Sequence, residues 1–455
     1  MFAVANLTLE DIKKAKHIHF IGIGGVSMST LAAVAAKRGH IVSGSDRTET
    51  KITKRLSEMG VNVSYTHCAK NVQGADLVVF TWAISEDNPE LMAAREAGIP
   101  LMARCDFLGE LMRAYPCCVG VSGTHGKSTT TGMLSHIFIS AGADPTVACG
   151  AELSELGGAY TLGDGDHFIY ESCEYRDSFL SFHPDIAVIL NVDHDHVDYF
   201  PTIDDVIASF EKSLRGAKSV VYNRDDKNAC RAVENFKGKK IGIALEARDA
   251  SYRAENLSSH DGKWSFDLIC GGEKLCSVTL GAPGKHNVYN ALCALAVSIE
   301  AGIDAGCAAR ALSTFTGADR RMQYRGDFMG ARVYDDYAHH PEELAATISC
   351  ALSMEHSRIF CVFQPHTYTR AREFASEFAR ELSRVDTAIL ADVYAAREKS
   401  DGTTSAIISD KIKGGLYISG NDAIKAYLCA NAKAGDIILC VGAGDIYKLA
   451  DALCS

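Results

Sequence analysis

The run Gly120-Val121-Ser122-Gly123-Thr124-His125-Gly126-Lys127-Ser128-Thr129-Thr130 follows an apolar segment and opens a helix-forming stretch, the arrangement a nucleoside triphosphate requires. Backbone N–H groups of such a turn and the positive end of the helix cradle phosphate oxygens, Lys127 adds charge, and the Ser128 hydroxyl is placed to hold Mg²⁺. The eight-residue form of the motif has glycine at position 121, where this chain has valine, so the fit is to Gly-x-x-Gly-Lys-Ser. ATP chemistry is the leading expectation, with Gly123 to Thr129 around the phosphates.

Two later segments supply acids and imidazoles at predicted strand ends: Phe168-Ile169-Tyr170-Glu171-Ser172-Cys173-Glu174 and Ile186-Ala187-Val188-Ile189-Leu190-Asn191-Val192-Asp193-His194-Asp195-His196-Val197-Asp198. In doubly wound folds ligands collect at the carboxyl ends of strands, where such groups converge on phosphates. Glu174 and His196 are the expected metal ligands beside Ser128, His196 being the more unusual because Mg²⁺ prefers oxygen. Farther on, Asn287 and Asn290 share one face of the first turn of a helix. They are placed either to read an adenine or ribose edge or to cap and pack that helix. The pair Arg320-Arg321 points to charge compensation during phosphoryl transfer. His339, His366 and Arg370 stand after apolar strands, where arginine binds a carboxylate bidentately. The turn at Val441-Gly442-Ala443-Gly444-Asp445-Ile446-Tyr447 reads as structural.

Positioning these groups falls to a repeated strand, turn and helix. His17 to Ile21 reads as a buried strand, Gly22-Ile23-Gly24-Gly25 as a tight turn, Ser27 to Arg38 as a helix and His40 to Gly44 as a second strand ending in Ser45-Asp46. Further strands are expected at Leu77–Phe80 and Pro100–Met102, completing a dinucleotide-type half. Ser27 replaces the third glycine of Gly-x-Gly-x-x-Gly, and Asp46 stands where a ribose-binding acid would. A diphosphate-bearing ligand is indicated, and an NAD-dependent dehydrogenase stays open on this turn alone.

With 455 residues, 47% hydrophobic, the chain has room for several cores, or roughly three domains of about 100 to 200 residues each. A net charge of −11 argues against a general nucleic-acid binder. Met1-Phe2-Ala3-Val4-Ala5 is too short for a secretory apolar region, and no run approaches the ~20 apolar residues of a membrane span. A cytoplasmic protein with no membrane partner is expected. Its 16 cysteines then read as reduced, mostly small core residues rather than bridges or zinc ligands.

In this order and over nearly the whole chain, the motifs resemble those of the Mur ligases of peptidoglycan precursor synthesis. The resemblance rests on Gly22-Ile23-Gly24-Gly25 with Met28-Ser29, on Gly123 to Thr130, on Glu171-Ser172-Cys173-Glu174-Tyr175-Arg176-Asp177-Ser178-Phe179 and on Asp195-His196-Val197-Asp198. It rests also on Gly284-Lys285-His286-Asn287, Asp335-Asp336-Tyr337-Ala338-His339-His340-Pro341 and Gln364-Pro365-His366-Thr367-Tyr368-Thr369-Arg370. It implies an α/β protein of three domains. Residues 1–106 would form a Rossmann-like UDP-sugar-binding domain, 107–316 a central P-loop ATPase domain with a mostly parallel sheet, and 317–455 a Rossmann-like amino-acid-binding domain.

The resemblance implies ligation of L-alanine to the lactyl carboxylate of UDP-N-acetylmuramate through an acyl phosphate, with ATP and Mg²⁺. His125 matters most for which ligase subfamily is resembled, since ligases adding later residues typically have asparagine there. Gly22, Gly24, Gly25, Ser45 and Asp46 become the sugar-nucleotide side, replacing the dehydrogenase reading. Asn287, Asn290, Arg321 and Asp336 lie by the adenosine and phosphates of ATP, and His339, His366 and Arg370 by alanine and the reacting carboxylate. Lys127, Glu174, His196 and Arg370 are the catalytic set, and Ser128, Glu174 and His196 the metal set. Rival readings are a recycling ligase that attaches a murein peptide to the same sugar nucleotide and a non-catalytic UDP-sugar-binding paralogue. Val26, Glu211 and Thr367 depart from relatives that carry glycine, a carbamylated lysine and arginine at those places; no lysine modification is expected. The protein is expected to be a monomer or homodimer.

Overall fold

His17-Ile18-His19-Phe20-Ile21 shows no polar and apolar alternation in its burial, as a parallel strand covered on both faces requires. It is β1 (His17–Ile21) of a sheet with β2 (Ile41–Ser45), β3 (Asn62–Ser64), β4 (Leu77–Phe80) and β5 (Leu101–Ala103), in the order β3-β2-β1-β4-β5, its pairs all parallel. The order reverses between β1 and β4, so the turn after β1 opens onto the crevice where doubly wound sheets take ligands. Helix Val26–Lys37 follows that turn, and its alanines let it pack closely: Ala32 and Ala33 are fully buried.

The computed structural model describes residues 7–153, 156–196, 199–396 and 398–455. The chain forms two compact units, one of residues 1–253, 270–273 and 292–308, the other of 254–269, 274–291 and 309–455. The first unit holds the β1–β5 sheet and a second series: β6 (Cys117–Ser122), β7 (Thr146–Leu153), β8 (Gly158–Thr161), β9 (His167–Glu171), β10 (Ile186–Ile189), β11 (Ser219–Asn223) and β12 (Lys239–Ala244). Their order is β12-β11-β10-β6-β9-β7-β8, parallel throughout except for β8 against β7. One apolar core joins the two sheets' layers, from Ile12 and Phe20 through Phe107 to Phe179 and Phe210.

In the second unit lie most of β13 (Tyr252–His260) and β14 (Lys263–Cys270), and β15 (Glu273–Thr279), neighbours in that order. It also holds β16 (Gln323–Phe328), β17 (Ala331–Asp336), β18 (Ile359–Phe363), β19 (Thr387–Leu390), β20 (Leu416–Tyr417) and β21 (Ile437–Val441), ordered β16-β17-β21-β18-β19-β20. Here only β16 is antiparallel, folding back on β17 through the turn at Met329-Gly330. The strand and helix alternation expected from Ala331 therefore begins one strand earlier. Apolar layers cover both faces of this sheet.

Most element positions agree with the sequence reading to within a residue: the helix after the glycine turn runs Val26–Lys37, and Leu77–Phe80 is a strand as expected. Val197 and Asp198 of the Asp-His-Val-Asp motif and the opening Met1–Ala5 lie outside the described residues. Among the described residues, no helix is long and apolar enough to cross a membrane.

Candidate functional site

The phosphate loop joins β6 to helix Lys127–Ser140. Gly126 caps that helix with φ +86°, and Gly123 has φ +143°, with a Cβ there falling 2.9 Å from that of Leu190. Both positions need glycine for backbone conformation, and Gly123 for space as well. Gly120 has a different reason: it lies inside β6, where a Cβ would meet the ring of buried Tyr170. The strand-end segment after β10 laces the loop down. Asn191 accepts from the His125 N–H at 2.8 Å and donates to its carbonyl, and Thr124 Oγ1 accepts from the Asp193 N–H at 2.9 Å.

Lys127 Nζ donates to the carbonyls of Gly123 (2.5 Å) and Thr124 (3.1 Å) and to Glu174 Oε2 (3.0 Å). Its side chain keeps only 13% exposure and that of Glu174 3%. Burial alone would lower the lysine's pKa, but Glu174, Cys173 and Glu171 outweigh it and the value is raised. Burial conversely pushes Glu174 up, and Lys127 and His196 more than reverse it. Both charges are therefore held. His196 Nε2 lies 3.6 Å from Glu174 Oε1; burial lowers its pKa, and the Glu174 contact leads a net rise. His196 sits at φ +53° with its ring tilted against that of Tyr175 at 4.6 Å, while Arg176 and Asp177 are also left-handed. Left-handed non-glycine residues grouped at one strand-end site mark a backbone held by its surroundings.

Ser128 Oγ donates to Glu171 Oε2 at 2.9 Å, and that oxygen also accepts from the Gly150 N–H. Glu171 thus joins the expected Ser128, Glu174 and His196. It lay in the same strand-end run as Glu174 but was not singled out. With two carboxylates and a hydroxyl, the donor set is rich in hard oxygen and fits Mg²⁺.

At the other sheet, Gly22 turns with φ +81° and Gly24 N–H donates to Asp46 Oδ2 at 2.8 Å. A Cβ on Gly24 would fall 2.7 Å from that oxygen. Asp46 therefore braces the glycine turn from the end of β2, while a Cβ on Gly25 would meet only the Gly22 carbonyl oxygen, at an ordinary 3.5 Å. Ser45, expected on the sugar-nucleotide side, is fully buried and donates to Glu90 Oε2 at 2.5 Å.

In the second unit, His339 and His366 rings lie 5.8 Å apart, and His366 stacks on Tyr394. Burial, with His339 and Arg370 adding to it, brings the His366 pKa down to about 4, so the ring is neutral near pH 7. Its Nδ1 is buried without a protein partner. Thr367 caps helix Tyr368–Glu373 by accepting from the Arg370 N–H, at φ +65°. The three residues expected at the amino acid thus share one corner.

Other expected ATP groups have protein partners already. Asp336 accepts from the backbone N–H groups of Met322 (2.7 Å) and Ala338 (2.8 Å), and burial raises its pKa above the ordinary carboxyl value. Asn290 Nδ2 donates to Asn287 Oδ1 at 2.9 Å, and Asn287 Nδ2 to the Pro283 carbonyl, so these amides cap and pack the start of helix His286–Glu300. Arg321 lies 3.6 Å from Glu343 and over the Tyr337 ring. Gln364 bridges Asp445 and the Ile446 N–H, which makes the late glycine turn structural.

A glycine-turn crevice and a phosphate loop with a buried Lys–Glu pair, on separate parallel sheets of one unit, define a multidomain α/β protein of nucleotide-binding design. Three family models match in succession: the Mur ligase family catalytic domain over residues 17–116, the Mur ligase middle domain over 121–298 and the Mur ligase glutamate ligase domain over 320–444. The chain belongs to the Mur ligase family. It is 40% identical over 454 residues to the UDP-N-acetylmuramate–L-alanine ligase of Acetivibrio thermocellus, covering 98% of this chain and 97% of that protein. It is 41% identical over 450 residues to the ligase of the same name from Caldanaerobacter subterraneus subsp. tengcongensis, covering 97% and 98%. Among solved structures, the UDP-N-acetylmuramate–alanine ligase of Thermotoga maritima is similar with a TM-score of 0.82 at 29% identity, covering 96% of this chain and 98% of that one.

Proposed function

We propose that this chain joins L-alanine to the lactyl carboxylate of UDP-N-acetylmuramate, consuming ATP in peptidoglycan precursor synthesis in the cytoplasm. The observation that carries the reading is the full-length likeness, at 40% and 41% identity, to proteins named for that reaction.

A carboxylate is a poor acyl donor because oxide would have to leave. Transfer of the γ-phosphoryl group of ATP to the carboxylate releases ADP and gives an acyl phosphate. The amine of alanine then attacks the carbonyl carbon, loses a proton, and the tetrahedral intermediate collapses to an amide with departure of phosphate. Lys127 and the N–H groups of Gly123 to Thr129 hold the triphosphate, and alignment with charge stabilisation is the main catalytic work. Ser128, Glu171 and Glu174, with His196 beside them, would hold Mg²⁺, which when bound neutralises charge on the transferring phosphoryl group. Arg370 takes the carboxylate of alanine, with His339 and neutral His366 beside it. Asn287, Asn290, Arg321 and Asp336 shape the adenosine side, acting in part through the backbone they brace. We assign the sugar nucleotide to residues 1–106, ATP to 107–316 and the amino acid to 317–455.

Purified protein is expected to release phosphate only when UDP-N-acetylmuramate, ATP, Mg²⁺ and L-alanine are all present, with the amide seen by mass spectrometry. Product formed with a tripeptide and not with alanine would select the recycling reaction instead. Gly24→Ala is expected to raise the KM for the sugar nucleotide by about ten-fold, the order of one lost charge-assisted hydrogen bond. Its KM for ATP should not move. An unchanged sugar-nucleotide KM would remove the glycine turn from the binding site.

A further inference from the structure

The adjacent arginines Arg320 and Arg321 part company in the fold. The linker that carries them bends through left-handed residues, Gly317 (φ +111°), Arg320 (+59°) and Met322 (+44°). Non-glycine residues persist in that region only where their surroundings hold them. Backbone partners do part of this: the Arg320 N–H donates to Gln323 Oε1 (2.9 Å), the Arg320 carbonyl accepts from the Tyr337 N–H (2.7 Å), and the Met322 N–H donates to Asp336. The Arg320 side chain does the rest. Its Nη2 donates at 2.5 Å to the carbonyl of Gly442, just past β21, and its guanidinium lies over the rings of Tyr337 (4.9 Å) and Tyr447 (4.8 Å).

Nε of the same guanidinium lies 3.4 Å from Asp335 Oδ2. Asp335 is the last residue but one of β17, paired with Gln323 of β16 on one side and Cys440 of β21 on the other. It is fully buried, and neither carboxylate oxygen has a hydrogen-bond partner, nor has Arg320 Nε. A buried polar group left this bare needs a reason, because its desolvation is uncompensated. Around it stand Arg320 from the linker, Arg325 from β16, Asp336 from β17 itself, Cys440 from β21 and Asp451 from helix Tyr447–Cys454. Burial raises its pKa to about 6, with Arg320 pulling it down and Asp336 pushing it up, so the group is an anion near pH 7. Arg321 faces elsewhere. Burial leads the lowering of His286 to about 4 and of His339, and the Arg321 charge adds to both. The first of these precedes Asn287, and the second belongs to the amino-acid corner.

We infer that Arg320 is a positioning residue and not a phosphate ligand: with Asp335 as its buried counter-ion, it fastens the linker to the carboxyl edge of the β16–β21 sheet and leaves Arg321 alone to serve ATP. The inference rests on the proposed placement of Arg321 and Asp336 beside ATP. A guanidinium needs both its planar fork and an anion behind it to reach Gly442 and Asp335 together. Without the anion the fork is free to turn to solvent, where the Arg320 side chain already keeps 22% exposure. The left-handed linker then loses a restraint and Arg321 spreads over more positions, which costs affinity through lost orientation.

Calorimetric titration of the full chain with the β,γ-imido analogue of ATP and Mg²⁺ tests this without need of turnover. Asp335→Asn, which keeps the shape and removes the charge, should weaken the analogue by roughly ten-fold, the order of one charged contact, and leave UDP binding unmoved. Arg320→Lys should do the same, since a point charge does not replace the fork. Arg320→Met and the double variant Arg320→Met with Asp335→Asn should bind the analogue equally, because Asp335 acts only through Arg320. Between the wild type and Asp335→Asn, the ratio of affinities should shrink toward one by about pH 5, as the wild-type carboxyl takes its proton. Full affinity in Asp335→Asn together with weakened binding in Arg320→Met would make Arg320 itself the phosphate ligand and overturn the inference. So would a ratio that ignores pH, or a double variant weaker than Arg320→Met, a comparison that stands even if Asp335→Asn fails to fold. A wild type that binds the analogue but makes no amide would instead count against the proposed reaction and leave the role of Arg320 intact.

Discussion

Replacing Lys127 by alanine is expected to cut ligation by about 10³-fold or more, the loss that follows when a positioned charge is removed from a phosphoryl-transfer site. UDP-N-acetylmuramate should bind the variant nearly as tightly as the wild type. The reason is topological: Lys127 follows β6, whereas the Gly22–Gly25 turn follows β1 on a separate sheet. Lys127→Arg should also be severely impaired despite its charge, because the ammonium is gripped by the carbonyls of Gly123 and Thr124 and by Glu174, and a planar fork does not fit that grip. Phosphate release measures the first effect and calorimetry with the sugar nucleotide the second. Loss of both in a folded Lys127→Ala protein would show that the two sheets do not divide the substrates.

Much of this site was legible from residue order because its chemistry is local. A phosphate loop needs glycine where the backbone turns and lysine at the helix start, so Gly123, Gly126 and Lys127 announce themselves within a few positions. The left-handed φ of Gly126 and the close approach of Leu190 to Gly123 are the physical facts behind that pattern. Gly120 has the same letter and another cause, the ring of Tyr170 arriving from β9, which no local reading supplies. The fold was readable for a similar reason: strands buried on both faces are continuous apolar runs, and helices follow them at turns rich in glycine.

Long-range pairing was not readable. Glu171 and Glu174 are three residues apart and look alike in sequence, yet one takes Ser128 Oγ and the other Lys127 Nζ, a division set by where β9 ends beside β6. Ser45 was placed on the sugar-nucleotide side by the resemblance alone, which says nothing of its protein partner. It is turned inward by Glu90, 45 positions away, at the start of a helix whose sequence signal is only its Asn-Pro cap. Asp336 likewise accepts from the backbone N–H groups of Met322 and Ala338, partners that the motif alone does not announce. Strand β16 was hidden because an antiparallel edge strand of which only the last residue, Phe328, is buried carries a weaker apolar signal than the parallel strands beside it.

Glu174→Gln should separate what the buried pair does for stability from what it does for catalysis. Removing one partner leaves the Lys127 charge nearly buried beside fewer compensating groups, a loss of about 3 kcal/mol or more on the usual scale for broken buried pairs. The pH window follows from the two shifts. The depressed Glu174 pKa contributes stability that is present above the ordinary carboxyl value of 4.5 and lost as pH falls through the folded value. The raised Lys127 pKa contributes stability that is present below 10.5 and lost as pH rises through the folded value. The wild type should therefore exceed Glu174→Gln in urea midpoint most clearly between these flanks, and the gap should close toward acid as Glu174 protonates. Turnover should fall by about 10²-fold or more, since the oxygen donor set beside Ser128 loses a charge. The double variant Lys127→Met with Glu174→Gln decides between the two roles: with no unpaired charge left it should recover much of the lost stability. Ligation should stay at or below the level of the worse single variant. Recovery of turnover along with stability would mean that the pair only supports the loop, and that the phosphates are held by other groups.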